Sequence, residues 1–316
     1  MPRILFVKTS SLGDVVHNCP AVSDAARGVP GAEIDWIVEE AFAGIAALHA
    51  SVGRVLPVAI RRWRGALWSP AVWSEIRAFR RLLASGVYDA VIDTQGLLKS
   101  AMLCSLASGR KHGMDRASLR EPLAALFYDV RHVVPRDRHA VARNRQLAAA
   151  ALGYTPDAGC DYGLRPPRAP LPSPGAAYVV LLTMTSRADK LWPEERWVAL
   201  GRTLAGRGIR SVLPWGTHAE RMRCERIAQS IPDARVPPRL SLAQIATLMH
   251  EARAGAGVDT GLTHLCAALD VATVGIYSAT EPALTGLYGT SRVRNLGGKG
   301  AAPSAGAVST ALEAML

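Results

Sequence analysis

Short apolar runs alternate with longer stretches of helical periodicity along almost the whole chain. Residues 3–7, 33–38, 54–60 and 88–92 read as strands, with helical patterns over 14–26, 70–83 and 96–106. This alternation predicts βαβ units, hence a parallel sheet with helices on both faces. The pattern breaks between Thr155 and Pro174, where six prolines fall in a stretch without apolar periodicity. Such a stretch reads as a linker. Strand patterns then resume at 177–182, 210–213, 253–258 and 271–277. A helical pattern over 193–204 opens on Pro193, a residue suited to a first helical position. The Gly- and Ala-rich tail from Gly297 ends in a short helical pattern. The expected fold is α/β: two Rossmann-like, doubly wound parallel-sheet domains, residues 1–154 and 176–316, joined by a linker over 155–175 and facing across a cleft. A length of 316 residues suits two domains better than one.

Ligands of open α/β sheets bind beyond the carboxyl ends of the strands, so the residues just after each strand carry the chemistry. The first strand runs into Lys8-Thr9-Ser10-Ser11-Leu12-Gly13-Asp14. A polar turn opening a helix offers amides and hydroxyls to an anion or a sugar. Asp14 reads in two ways there. It is a helix cap, the commoner use of such a residue, or a carboxylate able to take a proton from a hydroxyl. In the second half, Thr183 to Pro193 gathers Thr185, Ser186, Arg187 and Lys190 between a strand and a helix start. Hydroxyls with an ammonium group suit a diphosphate. Glu220 follows Pro214-Trp215-Gly216-Thr217, where an acid can accept ribose hydroxyls or simply cap a helix. Asp259-Thr260-Gly261-Leu262-Thr263-His264 follows an apolar strand and begins a helix. The matching placement of these segments favours a shared pocket over independent caps.

Composition narrows the field. Hydrophobic residues make up 49%, ample for two cores. No run is long and apolar enough for a membrane span. The first residues turn polar too soon for a signal peptide, which leads to the expectation of a cytoplasmic protein. Five scattered cysteines without CxxC spacing fit neither a zinc site nor a disulfide framework. The net charge is +11, and between Arg54 and Arg145 there are 17 Lys and Arg against 7 Asp and Glu. That basic stretch suits a phosphorylated or acidic substrate, an anionic lipid surface or a nucleic acid. Aromatics, at 6%, are not interleaved with arginine as a base-stacking platform, so a nucleic-acid partner is not expected. No GxGxxG after a strand, Walker A, HExxH or GxSxG pattern is present.

KTSSLGD, the Thr-Ser…Lys-x-Trp-Pro segment, PWG with Glu220, and DTGLTH together resemble the bacterial ADP-heptose:lipopolysaccharide heptosyltransferases of glycosyltransferase family 9. IDWIVEEAF, VAIRRWR, YDAVIDTQGLLKSA, KHGMD and REPLAALFY extend the resemblance over almost the whole chain. They favour the members that place the first heptose on Kdo2-lipid A. The resemblance implies a GT-B fold, no metal or other cofactor, and inverting transfer from ADP-heptose to the first Kdo of Kdo2-lipid A. It implies Asp14 as general base. It implies sugar-donor contacts from Thr185, Ser186, Lys190, Glu220, Leu240, Asp259, Thr260, Gly261 and His264. On the acceptor side it implies Ser10, Ser11, Gly13, Gln95, Arg61, Arg62, Arg64 and Arg120. Peripheral contact with the anionic cytoplasmic face of the inner membrane follows from such an acceptor. Three positions depart from the family pattern: Ala188 where an acid is common, Leu240 where a Met often flanks the adenine, and Tyr277-Ser278-Ala279-Thr280 in place of a Tyr-Gly-Pro-Thr-like turn. The alternatives are a family member that adds the second heptose, and a nucleotide-sugar transferase or epimerase of the same fold.

Overall fold

The computed structural model describes residues 1–166, 168–171, 175, 177–289 and 291–316. The chain divides into two compact units, Met1–Gly163 and Leu164–Leu316.

Unit 1 runs β1 (Arg3–Val7), α1 (Leu12–Gly28), β2 (Glu33–Glu39), α2 (Ala43–Ala46), β3 (Val52–Val58), α3 (Ile60–Arg64), α4 (Pro70–Ala84), β4 (Val87–Asp93), α5 (Leu98–Ser105), β5 (Ser108–Met114), β6 (Val130–His132) and α6 (Ala140–Leu152). Its six strands are all parallel, in the order β3-β2-β1-β4-β5-β6. The central strands are buried apolar runs: Ile4 to Val7 and Ala90 to Ile92 are almost without solvent contact. That is the signature of strands covered on both faces. The winding direction reverses between β1 and β4. Right-handed crossovers therefore place α4 and α5 on the face opposite α1 and α6.

Three features differ from the sequence expectation. The strand expected over 54–60 is Val52–Val58, because Ile60 already begins α3. β5 and β6 were not expected at all. β5 reads Ser-Gly-Arg-Lys-His-Gly-Met and β6 is three residues long, so neither shows an apolar run.

Beyond α6 the chain stays fastened to unit 1. Buried Asp24 pairs with Arg145 at 2.5 Å and with Arg27 at 2.6 Å, and Arg27 reaches on to Asp157 and Asp161, each at 3.1 Å. Nearby, buried His49 accepts from Ser51 N–H through Nδ1 and sits 3.1 Å from both Cys19 O and Ser23 Oγ through Nε2. A neutral ring with its proton on Nε2 satisfies both sides. Burial holds this histidine at about 4, against an ordinary 6.5. His112, stacked on His132, is likewise lowered to about 4 by burial. Unfolding frees such rings to take up a proton, so their stabilisation is complete above about pH 6.5 and is lost as pH falls towards 4. For His49 the loss is roughly 3 kcal/mol. Urea midpoints of the full chain are expected to fall steadily from pH 6.5 to 4.5, with a shallower slope in His49→Gln. A flat profile would contradict this.

Unit 2 runs β7 (Tyr178–Leu182), α7 (Glu194–Ala205), β8 (Arg210–Val212), α8 (His218–Gln229), α9 (Leu242–His250), β9 (Ala254–Val258), α10 (Gly261–Ala268), β10 (Thr273–Tyr277), α11 (Pro282–Thr285), β11 (Val293–Gly297) and α12 (Ala305–Glu313). Its five parallel strands lie in the order β11-β10-β9-β7-β8. β11, reading Val-Arg-Asn-Leu-Gly at the sheet edge, was also unexpected. Trp192 and Trp197 pack edge to face at 4.8 Å in its core, beside Leu200, Ile276 and Leu312. Among the described residues no helix is long and apolar enough to cross a membrane.

Candidate active site

Each sheet has one switch point, where successive connections leave in opposite directions, and a crevice opens beyond the carboxyl ends of the two strands there. In unit 1 these strands are β1 and β4, and in unit 2 they are β7 and β9. Asp14, Gln95, Thr185, Lys190, Asp259, Thr260, Gly261 and His264 lie at these two places, whereas Arg61, Arg62, Arg64, Arg120, Glu220 and Leu240 follow other strands.

After β1, the turn Lys8–Ser11 is held from β4. Gln95 Oε1 accepts from the amides of Thr9 and Ser10, each at 3.1 Å. Lys99 Nζ donates to Ser10 Oγ at 3.1 Å. The Ser10–Ser11 peptide is cis. Gln95 itself is positioned by Asp93, a buried carboxylate that accepts from Gln95 N, Gly96 N, Ser100 Oγ and Tyr128 Oη at 2.8–3.1 Å. Burial pushes the Asp93 carboxyl above its usual range, against the pull of those four bonds. Gly96 takes a φ of +66°, which a residue without a side chain adopts freely.

Asp14 lies in the first turn of α1 and is half-buried. Its carboxylate accepts from Ser11 N at 2.6 Å and Ser11 Oγ at 3.1 Å. The residue thus does cap the helix, and the same bonds fix a carboxylate at the switch point of the sheet. Beneath the turn, buried Lys8 donates from Nζ to Thr94 O at 2.7 Å and to Asn144 Oδ1 at 3.4 Å. Burial lowers the Lys8 ammonium, opposed by the fields of Asp14 and Asp93. His17, one turn beyond Asp14, is buried edge-on against His139.

The arginines sit at the same carboxyl edge. Arg61, Arg62 and Arg64 are exposed on α3. Its start is tied to the sheet because Glu39 accepts from Arg61 N at 3.1 Å, while Glu39 N donates to Thr9 O. Arg62 is gripped by Glu40 and Glu75, whereas Arg61 lies over the Phe42 ring. Arg120 is exposed just before the 3₁₀ turn Pro122–Phe127. Its neighbour Glu121 accepts from Leu98 N at the head of α5.

In unit 2 the centre is Asp259, which is 8% exposed. Its Oδ2 accepts from Lys190 Nζ at 2.7 Å and from Thr280 Oγ1 at 2.6 Å, and His264 Nε2 lies 3.5 Å from Oδ1. Burial alone would raise this carboxyl, but hydrogen bonds from His264, Lys190 and Thr280 hold it well below the carboxylate range. Thr185 Oγ1 donates to Asp259 O, which bridges the ends of β7 and β9. Thr260 stands at the N-cap position of α10 without a side-chain capping bond, and Gly261 is the first residue of the helix, so the helix amides open beside Asp259. Ser186 is exposed on the same connection as Lys190. Two glycines let α10 lie close on β9: a Cβ on Gly257 would sit 2.2 Å from Thr263 Oγ1, and one on Gly255 would sit 2.6 Å from Cys266 Sγ.

Glu220 lies at the third position of α8 and accepts from Gly216 N at 2.7 Å and Thr217 N at 2.9 Å, a capping box with Thr217. Leu240 is half-buried and lines a cavity of about 500 Å³ with Val212, Pro237, Pro238 and Leu248. The structure therefore draws Thr185, Lys190, Asp259, Thr260, Gly261 and His264 into one cluster. Glu220 and Leu240 stand on other connections. Thr280, Lys8, Asp93 and Lys99 also belong to these sites, although the sequence reading gave none of them a role. For Asp93 the signal was available: Asp-Thr-Gln-Gly closes a strand and opens a polar turn, much as Lys-Thr-Ser-Ser follows β1. Among the described residues no group of three His, Cys, Asp or Glu side chains is placed to hold a metal ion.

Two α/β units with polar clusters at their switch points, one centred on an acid and the other on an ammonium–carboxylate pair beside a helix start, are the architecture of a nucleotide-sugar enzyme of the GT-B fold. The chain belongs to glycosyltransferase family 9, the heptosyltransferases, whose model matches residues 76–314. It is 50% identical over 293 residues to lipopolysaccharide heptosyltransferase 1 of Pseudomonas aeruginosa, covering 92% of this chain and 82% of the relative. Solved structures of the heptosyltransferase WaaC of Escherichia coli, with ADP and with ADP-2-deoxy-2-fluoro heptose, are 44% identical and cover 99% of this chain and 100% of WaaC. Their TM-scores are 0.92 and 0.88 respectively.

Proposed function

We propose that this heptosyltransferase moves L-glycero-D-manno-heptose from ADP-heptose to the first Kdo of Kdo2-lipid A, with inversion, at the cytoplasmic face of the inner membrane. The observation that carries the reading is the Lys190–Asp259–Thr280–His264 cluster at the start of α10, in a chain so similar to a protein solved with ADP and an ADP-heptose analogue. Unit 2 binds the sugar donor. Lys190, the hydroxyls of Thr185 and Ser186, and the amides at Thr260 and Gly261 face the diphosphate. They stabilise the charge that grows on ADP as the glycosidic bond breaks. Asp259 orients Lys190 and accepts from heptose hydroxyls. Glu220 takes the ribose and Leu240 the adenine.

Unit 1 presents the acceptor. Ser10, Ser11, Gly13 and Gln95 shape the turn that receives the Kdo hydroxyl, and Asp14 removes its proton as the hydroxyl oxygen attacks the anomeric carbon. A single displacement at that carbon inverts its configuration. Arg61, Arg62, Arg64 and Arg120 meet the Kdo carboxylates and lipid A phosphates.

The test is mass spectrometry of Kdo2-lipid A after incubation with ADP-heptose and the protein. A mass increase of one heptose supports the reading. Transfer only to a lipid that already carries heptose overturns the acceptor assignment.

The division between units makes a separate prediction. Changing Arg61, Arg62 and Arg64 together to Ala raises the KM for Kdo2-lipid A by roughly tenfold and flattens its salt dependence, since exposed charges act at long range. Calorimetric affinity for ADP-heptose stays unchanged. Loss of ADP-heptose affinity with an unaltered acceptor KM would reverse the assignment.

A further inference from the structure

From the face of unit 1 that carries α4 and α5, we infer that the protein docks on anionic phospholipid bilayers through a surface formed by these two helices and the 3₁₀ turn Pro122–Phe127. α4 buries only Val72, Phe79 and Leu83, one narrow seam at helical spacing. On one flank of that seam, at steps of four, three and four residues, stand Trp73, Arg77, Arg80 and Ala84. Arg77, Arg80 and Arg81 line an open depression of about 650 Å³ with Ala84, Ser105 and Leu106, and no acid is among its lining residues. The acid of α4, Glu75, lies on the other flank, where Arg62 and Trp63 engage it.

Large exposed apolar side chains stand on α4, α5 and the segments next to them. Trp68, in the turn before α4, is 82% exposed, and Trp73 is 47% exposed with its indole N–H already satisfied by Leu67 O. Met102 on α5 is 54% exposed. Leu123 and Leu126, three apart on the 3₁₀ turn that packs against α5, are 56% and 62% exposed. Isolated exposed apolar residues mean little, but five of them on the two helices of one sheet face and the segments joined to these, beside three arginines, mean more.

The chemistry selects the partner. Indoles and arginines together are the residues that anchor a protein at the headgroup level of a bilayer, with aliphatic side chains reaching the acyl boundary. The apolar groups are spread over two helices and a turn, which suits a fluid, yielding surface. Acid-free arginines select phosphate-bearing anionic headgroups. The surface also continues to Arg120, beside the Pro122–Phe127 turn. The inference rests on the proposed reading in one respect: a lipid-anchored acceptor gives this surface its use.

The experiment uses the full chain and vesicles of phosphatidylcholine alone or mixed with phosphatidylglycerol, with no substrate present. The wild-type chain is expected to co-sediment with the mixed vesicles, less so as salt rises. Arg77→Gln/Arg80→Gln/Arg81→Gln is expected to lose roughly 100-fold in vesicle affinity, at about tenfold or less per arginine. Trp68→Ala, at the most exposed apolar position of this surface, loses affinity without touching the core and serves if the triple variant folds poorly. Both variants keep wild-type transfer to Kdo2-lipid A dispersed in detergent and lose transfer to the same acceptor in vesicles. Unchanged vesicle affinity in both variants, or equal binding to phosphatidylcholine alone, overturns the inference. Should even the wild-type chain fail to transfer heptose in detergent, the functional reading falls, while vesicle binding still decides the surface.

Discussion

Asp14→Asn is expected to lower kcat by about 10²–10⁴-fold, the usual cost of a lost general base, with ADP-heptose affinity unchanged. The substitution is informative because Asp14 has two roles that an amide separates. Its oxygen atoms accept from Ser11 N and Ser11 Oγ and so close the first turn of α1. An Asn side chain still offers one acceptor to the backbone, so the cap and the fold survive. What the amide cannot do is take a proton from an attacking hydroxyl. Thermal midpoints near wild type with collapsed turnover would assign the loss to chemistry. Asp14→Ala removes both functions and lowers stability as well, by about 1 kcal/mol for the cap. Near-wild-type kcat in Asp14→Asn would leave Asp14 as a helix cap and nothing more.

The second large effect is expected at Lys190. Lys190→Ala weakens ADP-heptose binding by roughly 10- to 150-fold, the range for a hydrogen bond to a charged group. Calorimetry with ADP and with ADP-heptose separates the possibilities. If the ammonium meets the diphosphate, both ligands lose affinity alike. Loss confined to ADP-heptose would move Lys190 to the sugar, and no loss for either would remove it from the site. The remaining bonds from Thr280 and His264 keep Asp259 from becoming an uncompensated buried charge, so the variant is expected to fold.

The inner strands β1, β7 and β10 were legible because they are buried on two faces and read as nearly unbroken apolar runs. β5, β6 and β11 escaped because their residues, Ser-Gly-Arg-Lys-His-Gly-Met, Val-Arg-His and Val-Arg-Asn-Leu-Gly, form no apolar run. Site residues were legible where the chemistry is local. Lys-Thr-Ser-Ser and Asp-Thr-Gly each announce themselves as a turn between strand and helix. The pairings that give those residues their properties were not legible. Lys190 and Asp259 are 69 positions apart, and Lys8 reaches Thr94 across 86. Only the strand order brings such partners together, and no local pattern records it. Glu220 shows the converse, since its capping box with Thr217 is plain in the sequence and is what the structure shows.

The closeness of α10 to β9 has a consequence for genetics. Gly257 belongs to the floor of unit 2, with no polar group to offer a substrate. A methyl there would meet Thr263 and Leu182 at 2.2 and 2.9 Å. The helix would have to ride up, carrying Thr260, Gly261 and His264 away from the Asp259–Lys190 pair. A lesion at Gly257 would therefore score in a screen as a defect in substrate recognition. Its suppressors would be found at Thr263, where a smaller residue returns the lost space, and not among the residues that touch the nucleotide.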